Sequence, residues 1–535
     1  MSSTIYFRSS QQVRPTSSRP SDTSSHYFNY TSGRWLINEA RQLEKRHIKF
    51  DVSALQRISG QLIGSQCVRM NKIPEGLFNK VFSLQMENGK EILVRIPNPN
   101  AGHPHYIVAS EVATLDFLRT VLEIPVPRVL SWSSSSQPNP VGAEYIVMER
   151  VEGRQLSEVW DDMSEAQRFG LVKSIVAIER KLVKAKFALH GSLYYRDTFP
   201  KGRRVAAVER ADQEGQSRFV LGPTTQRSFW DDEKGALDID RGPWETVEEY
   251  LSAVTNREIA LIRNTRSRSS NDTVPFGKTL QRRDVHIQLL EQFLTVLPHI
   301  LPPEEVLSPV LLHPDLHSNN IFVDSSDPSK ISSIIDWQAV HTAPLFMQAK
   351  FPSIFNCDDI YPWGAVQPKL PEDFDTLSQV EKGQAEDKLS RLRLKKFYEL
   401  ASRKFNPGLI HAMDKMRNDN DPTTFIFDIV GRTSEDGPIP LKELLIQVFE
   451  KWDRIMERRG STQPCPIWFS RKDIDESRQK AESWAAAFGD FERLRAEVIG
   501  EDGWVSHEDY KEALSRWEKN KTTLESLREG LESLM

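Results

Sequence analysis

His313-Pro314-Asp315-Leu316-His317-Ser318-Asn319-Asn320, followed by Ile334-Ile335-Asp336-Trp337, decides how this chain is read. Leu311-Leu312 before the loop and Ile321-Phe322-Val323 after it are apolar, branched or aromatic, and predict short buried strands around a tight turn. Residues Ile331 to Ile335 predict the next strand, which delivers Asp336 beside Asn320. The five-residue step from Asp315 to Asn320 lets one loop present a carboxylate in one direction and an amide oxygen in another. An amide oxygen beside a carboxylate suits magnesium, a hard cation that takes few oxygen ligands from protein and the rest from phosphate and water.

These residue types in this order meet the needs of phosphoryl transfer from ATP. One Asp must orient and deprotonate the attacking hydroxyl, while an Asn and a second Asp hold the magnesium ions that bridge the phosphates. Asp315 is then the catalytic candidate, Asn320 and Asp336 the metal candidates, and His313 and His317 supporting residues. Asp and Asn also form ordinary turns, so the weight of the string rests on the strands on both sides of it.

Upstream, the sequence predicts a small antiparallel sheet. Gln66 to Lys72, Asn79 to Met86, Glu91 to Ile96 and Ala143 to Met148 read as strands, and Asn88-Gly89 is a strong hairpin signal. Val52 to Ser59 reads as a short helix. Ser110 to Leu122 has apolar residues at helical spacing with Ser110 as its cap, and Pro125 and Pro127 lead into a Ser-rich loop. The turn Pro74-Glu75-Gly76-Leu77-Phe78, continuing into Asn79, sits where a phosphate-covering hairpin belongs, although it holds a single glycine. Arg95 on the third strand and Glu111 on the helix are candidates for a clamp on the nucleotide phosphates. An Arg there can pair bidentately with a carboxylate or phosphate and stays charged, but it departs from the Lys that kinases use. Tyr145 to Gly153 reads as the strand and hinge to the next lobe. Met148 would back the adenine pocket, and the Glu149 carbonyl and Val151 amide would meet the adenine edge.

The remainder is mostly helical, with Glu165 to Leu182 and Asp284 to Pro298 the clearest segments. About 196–278, rich in Arg, Asp, Gly and Trp, reads as an insertion of loops and short helices. Glu501 to Asp509 resembles half of a calcium-binding loop, but Val498 and Gly500 fall where ligating side chains are needed, which argues against an EF-hand.

The chain has 535 residues, 39% hydrophobic and 27% charged, with net charge −5. That is room for two or three domains with a large core. The mild acidity argues against a nucleic-acid surface as the main business, and no apolar run approaches the roughly 20 residues of a membrane span. Cys67, Cys357 and Cys465 are too scattered for a disulfide framework or zinc site and point to a reducing compartment. The first residues are rich in Ser and Thr, carry Arg8, Arg14, Arg19 and Arg34, and hold one acid, Asp22. Mitochondrial presequences have this composition; so do disordered tails.

The H-P-D-L-H-S-N-N loop, the I-I-D-W run and the E-G-L-F-N-K-V-F hairpin together resemble the aminoglycoside phosphotransferase and choline kinase branch of the protein-kinase-like superfamily. Asn29-Tyr30-Thr31-Ser32-Gly33-Arg34-Trp35, Gly191-Ser192-Leu193-Tyr194-Tyr195, Asp240-Arg241-Gly242-Pro243-Trp244 and Ile335-Asp336-Trp337-Gln338 resemble more closely the fungal altered inheritance of mitochondria protein 9 group, from about residue 28 to near the C-terminus. The resemblance implies an α+β, bilobal kinase-like fold, ATP and Mg2+ as cofactors, and a mitochondrial address, with the cytoplasm as the alternative. The expected plan is a disordered tail over 1–34, an N-lobe over 35–150 and a C-lobe over 151–465 with its catalytic loop at 311–338. Helices over 466–535 would pack on the C-lobe. The expected partner is a small molecule bearing a hydroxyl. A pseudokinase that binds nucleotide in a mitochondrial maintenance role is the alternative function. A protein kinase fits less well, because no A-P-E element is recognisable and Asp336-Trp337-Gln338 stands in place of D-F-G.

Overall fold

The computed structural model describes residues 25–198, 206–207, 218–264, 280–357, 360–417, 421–500 and 502–534. Five antiparallel strands form the N-lobe sheet: β1 (Cys67–Ile73), β2 (Asn79–Met86), β3 (Glu91–Pro97), β4 (Val129–Ser133) and β5 (Tyr145–Glu149), in the order β1-β2-β3-β5-β4. Alternation puts Phe82, Leu84, Val94, Ile96 and Val147 into a core shared with Leu55 and Phe50. Helix α1 (Val52–Ile63) contributes Leu55, and the Asp51 side chain caps it by accepting from the Ala54 N–H at 2.8 Å.

Helix α2 (Pro104–Thr120) is longer than expected. It starts six residues before Ser110, with His103 at the cap position and Pro104 in the first turn. Proline is at home there because the first helical N–H groups have no intrahelical partner. Ser110 is buried in the helix interior. The stretch expected to be a Ser-rich loop contains the edge strand β4, where Trp132 pairs with Ile146.

The C-lobe is built on α3 (Glu165–Lys184), which a Ser164–Gln167 capping box starts, together with α4 (Val247–Asn264), α5 (Leu280–Ile300) and α6 (Gln379–Phe405). Its core runs from Leu171 and Val176 through Phe293 and Ile334 to Tyr398 and Leu445. The insertion is more regular than loops and short helices. Strands Ser192–Tyr195, Phe219–Gly222 and Ala206–Ala207 form a three-stranded sheet, and α4 has 18 residues. Residues 199–205, 208–217 and 265–279 of it lie outside the described residues.

Both ends of the chain make contacts that the expected plan did not include. Residues 1–24, the body of the expected tail, lie outside the described residues, but the stretch from Ser25 onward is part of the N-lobe. Tyr27 packs on Phe82 and donates to the Met70 carbonyl at 3.1 Å, and Tyr30 is buried. At the other end, α8 (Arg471–Val498) packs on α7 (Ile439–Glu450) in the C-lobe and against α9 (Tyr510–Leu534). The turn between α8 and α9 does not stay on the C-lobe: Trp504–Val505 pairs antiparallel with Arg34–Trp35. Trp35 Nε1 donates to Asp502 at 3.2 Å, and Trp504 Nε1 donates to the Tyr30 hydroxyl at 2.8 Å. Gly33 allows the contact, since a Cβ there would sit 2.6 Å from the Trp504 ring. The stretch that resembles half a calcium loop is thus a docking turn. No helix among the described residues is long and apolar enough to cross a membrane.

Candidate active site

Strand Pro309–Leu311 leads into the loop and strands Ile321–Val323 and Ile331–Ile334 leave it, as the apolar runs predicted. The loop is held by its own backbone. The Asp315 N–H donates to His313 Nδ1 at 3.2 Å, while His313 Nε2 donates to the Ile335 carbonyl at 3.0 Å. One nitrogen accepting and one donating describes a neutral imidazole, and burial lowers the His313 pKa in agreement. The ring stands edge-on to Trp337 at 4.7 Å. Asn320, buried, donates from Nδ2 to the Asp315 carbonyl at 3.0 Å, and the Ile335 N–H returns to the Asn320 carbonyl at 3.0 Å.

The Asp315 carboxylate stands out of this framework with 53% of its side chain exposed. It accepts from the Ser353 hydroxyl at 2.8 Å and faces His317 Nε2 at 3.6 Å. Ser353 was not foreseen. It is placed by the Ile354 N–H, which donates to the Leu316 carbonyl at 3.0 Å. Asp336 has φ 63°, a left-handed conformation that is uncommon for a residue with a Cβ and that recurs at functional sites. Its only ion-pair contact among the described residues is Arg95 Nη1 at 3.7 Å.

The expected Arg95–Glu111 pair forms, with Glu111 buried on α2 and Arg95 on β3. Burial lowers the Arg95 pKa to about 10, and Asp336 opposes that shift. Arg95 therefore joins the helix of one lobe to the metal candidate of the other.

The hairpin between β1 and β2 faces this group. Phe78 lies under the Arg227 guanidinium, 3.5 Å from Cζ to the ring centroid. Asn79 and Gln338 exchange amide hydrogen bonds at 2.9 and 3.1 Å. Gly76 stands exposed at a conformation open to any residue, and a Cβ there would meet nothing within 4 Å. The hairpin does not depend on glycine because other residues hold it. Arg46 Nε and Asn100 Nδ2 donate to the Leu77 carbonyl at 3.0 and 3.2 Å. The Glu75 N–H donates to Ser32 Oγ at 2.6 Å, and the buried Glu75 carboxylate lies 2.6 Å from Lys72 and 3.4 Å from Lys80. Burial lowers the Lys80 pKa to about 8.

At the hinge, Met148 pairs with Leu93 and Val129 and packs against the α2 cluster of Ile107, Val108 and Val112. Glu149 turns its carboxylate back to its own lobe, onto the Arg128 N–H at 2.9 Å and Arg119 at 3.1 Å. The Glu149 side chain is thus turned away from the expected adenine edge. Arg227 and Gln338 were missed as site residues. Arg227 sits in a stretch without chemical signature, and Gln338 carried a signal only through its place after Asp336-Trp337.

The donor set fits magnesium. Asn320 uses Nδ2 internally, and among the described residues no hydrogen bond takes its Oδ1. The Asp336 carboxylate accepts no hydrogen bond among the described residues, and its ion-pair contact there is Arg95 at 3.7 Å. No cluster of three or more His, Cys, Asp or Glu able to hold a metal occurs among the described residues.

A five-stranded N-lobe, an Arg–Glu pair and a catalytic loop on a helical C-lobe define a bilobal kinase-like protein. Residues 69–250 and 262–347 match the phosphotransferase enzyme family, and the chain belongs to that family. It is 32% identical over 486 residues to a subtelomeric hrmA-associated cluster protein of Aspergillus fumigatus, covering 84% of this chain and 91% of that one. It is 24% identical over 582 residues to altered inheritance of mitochondria protein 9, mitochondrial, of Saccharomyces cerevisiae, covering 91% and 88%. An ADP-bound aminoglycoside phosphotransferase of known structure superposes with TM-score 0.34 at 13% identity, over 74% of this chain and 97% of that one.

Proposed function

We propose that this protein transfers the γ-phosphoryl group of ATP to a hydroxyl of a small molecule. The observation that carries the reading is the C-lobe loop that brings Asn320 to Asp315, whose carboxylate is exposed, together with the N-lobe Arg95–Glu111 pair that reaches across to Asp336. Asp315, held by Ser353, orients the acceptor hydroxyl and takes its proton. Asn320 and Asp336 would hold Mg2+, which when bound would supply charge neutralisation on the nucleotide phosphates. Arg95, fixed by Glu111, meets the phosphates from the N-lobe side. The backbone of Glu149 and Val151 binds the adenine edge.

The test is ATP consumption by the purified chain across a panel of small hydroxylated metabolites. Asp315→Asn keeps the shape of the side chain but cannot accept the proton. It should keep nucleotide affinity within a few-fold and lose roughly 10²–10⁴ in turnover. Full turnover in Asp315→Asn would remove Asp315 from the catalytic role. Nucleotide binding with no turnover on any acceptor, in wild type and variant alike, would favour the pseudokinase alternative.

The mitochondrial relatives and the basic, hydroxylated N-terminus support a mitochondrial location. A fluorescent reporter carrying residues 1–34 should enter mitochondria. A diffuse cytosolic signal would count against the address.

A further inference from the structure

Arg227 carries a charge that the phosphotransfer reading leaves unused. It opens the turn Arg227–Phe229, which the insertion brings to the hairpin tip. Its guanidinium lies on the Phe78 ring at 3.5 Å, and one terminal nitrogen reaches Gln338 Oε1 at 3.4 Å, a long contact. Its Nε is shut off from solvent and has no hydrogen-bond partner.

Comparison with Arg257 shows how unusual this is. Arg257, more deeply buried, donates to Ser228 at 2.8 Å, to the Gly431 carbonyl at 2.6 Å and to Glu258 at 2.9 Å. No carboxylate lies within ion-pair distance of Arg227 among the described residues. Burial lowers its pKa, and the more distant carboxylates of Asp336, Asp231 and Asp315 oppose that shift. A half-buried guanidinium that stacks on Phe78 and has no carboxylate beside it is placed to gain from an anion that meets it. Arg227 is placed between Phe78, on the phosphate hairpin, and Gln338, two residues past the metal candidate. The two site carboxylates Asp336 and Asp315 both act on its charge.

We propose that Arg227 binds the γ-phosphoryl group during transfer. This rests on the phosphotransfer reading above. In the step, the bond from the γ-phosphorus to the β,γ-bridging oxygen breaks, and the electron pair leaves with ADP. The bond from the acceptor oxygen to the γ-phosphorus forms, and the acceptor proton goes to Asp315. Arg227 makes and breaks no bond. It donates to the equatorial phosphoryl oxygens, whose charge is most exposed midway, and a fixed donor aimed at developing charge is worth most in a water-poor cleft.

The experiment measures Mg·ADP binding to the full chain, with and without aluminium fluoride, which mimics the phosphoryl group in transit. Wild type should bind ADP more tightly when the fluoride complex is present. Arg227→Met should bind ADP alone nearly as wild type does and lose roughly 10²-fold of that tightening. Arg227→Lys, which keeps the charge without the fork, should fall between, and it preserves the test if the Met variant does not fold. Full tightening in either variant overturns the proposal. An equal loss of ADP binding with and without fluoride also overturns it, since Arg227 would then only shape the hairpin. A wild type that binds ADP but gains nothing from the fluoride overturns it as well. A wild type that binds no nucleotide instead removes the phosphotransfer reading itself.

Discussion

The catalytic loop and the hairpin opposite it are held in contrasting ways. In the loop, the Asp315 N–H bonds to His313, the His317 N–H bonds to the Asp315 carbonyl and Asn320 bonds back to Asp315, all within eight residues of chain, and the ties to Ile335, Ser353 and Ile354 add to this local closure. In the hairpin, Leu77 is tied to Arg46, Glu75 to Ser32 and Asn79 to Gln338, across separations of 31, 43 and 259 residues. A loop that closes on itself needs fixed spacings, so it leaves a motif. A hairpin buttressed from outside needs only a surface to lean on, and it can do without the glycines of a free-standing flap. The loop should therefore fail chemically when it is altered, and the hairpin mechanically.

The largest effect expected is on the loop side. Asp336→Ala removes a charged oxygen that no neighbour replaces and should abolish magnesium-dependent nucleotide binding, while Asn320→Ala should weaken it less. A fluorescent ATP analogue titrated with and without magnesium measures this. Unchanged affinity in Asp336→Ala would remove the metal assignment.

Trp35→Ala attacks the buttress. Trp35 is 1% exposed and lies under Arg46, 4.3 Å from the guanidinium. Its loss should cost about 3–5 kcal/mol of stability and raise the KM for nucleotide more than it lowers kcat. Chemical denaturation and steady-state kinetics read both. A KM equal to wild type in a destabilised variant would separate the buttress from the hairpin.

Arg95 and Glu111 join the two sides. Alanine at either position should weaken ATP binding, with a coupling of about 0.5–3 kcal/mol in the double-mutant cycle. Strict additivity would show that the pair does not act as a unit.

The smallest effect concerns the floor beneath the loop. Glu179 lines a cavity with His313, Leu316 and Trp337 and accepts from the Tyr398 hydroxyl at 2.6 Å. Burial raises its pKa to about 8. A carboxyl raised in the folded state from its ordinary value near 4.3 keeps its stabilising proton at low pH and loses that advantage as pH climbs toward 8, so stability should fall across this window. The slope should be at most about 1.4 kcal/mol per pH unit. Glu179→Gln should flatten the dependence, as measured by denaturation at pH 5 and pH 8. Parallel curves for both proteins would show that another group sets it.

The same contrast explains what could be read from the sequence. The strand Asn79–Met86 came out with its observed bounds and Glu91–Pro97 within one residue, because alternation along a half-buried strand is local. The Arg95–Glu111 pair followed from strand and helix order. The start of α2 was missed because Pro104, a helix starter, lies outside the apolar run that marked Ser110. The strand Val129–Ser133 was hidden by its serines. The packing of residues 25–34 was hidden by a composition that suits a disordered tail equally well. Arg227, Ser353 and the docking of Trp504 depend on contacts between distant segments, and no spacing encodes them.

The pairing of Arg34–Trp35 with Trp504–Val505 also orders events in time. A ribosome delivers the chain from its N-terminus, so Tyr30 and Trp35 wait for a partner 474 and 467 residues further along the chain. Until then the hairpin lacks one of its supports. Synthesis as far as Trp504 is thereby built into the assembly of this face of the N-lobe, and a chain released before Trp504 would carry an intact Asp315 loop beneath a hairpin without its backing.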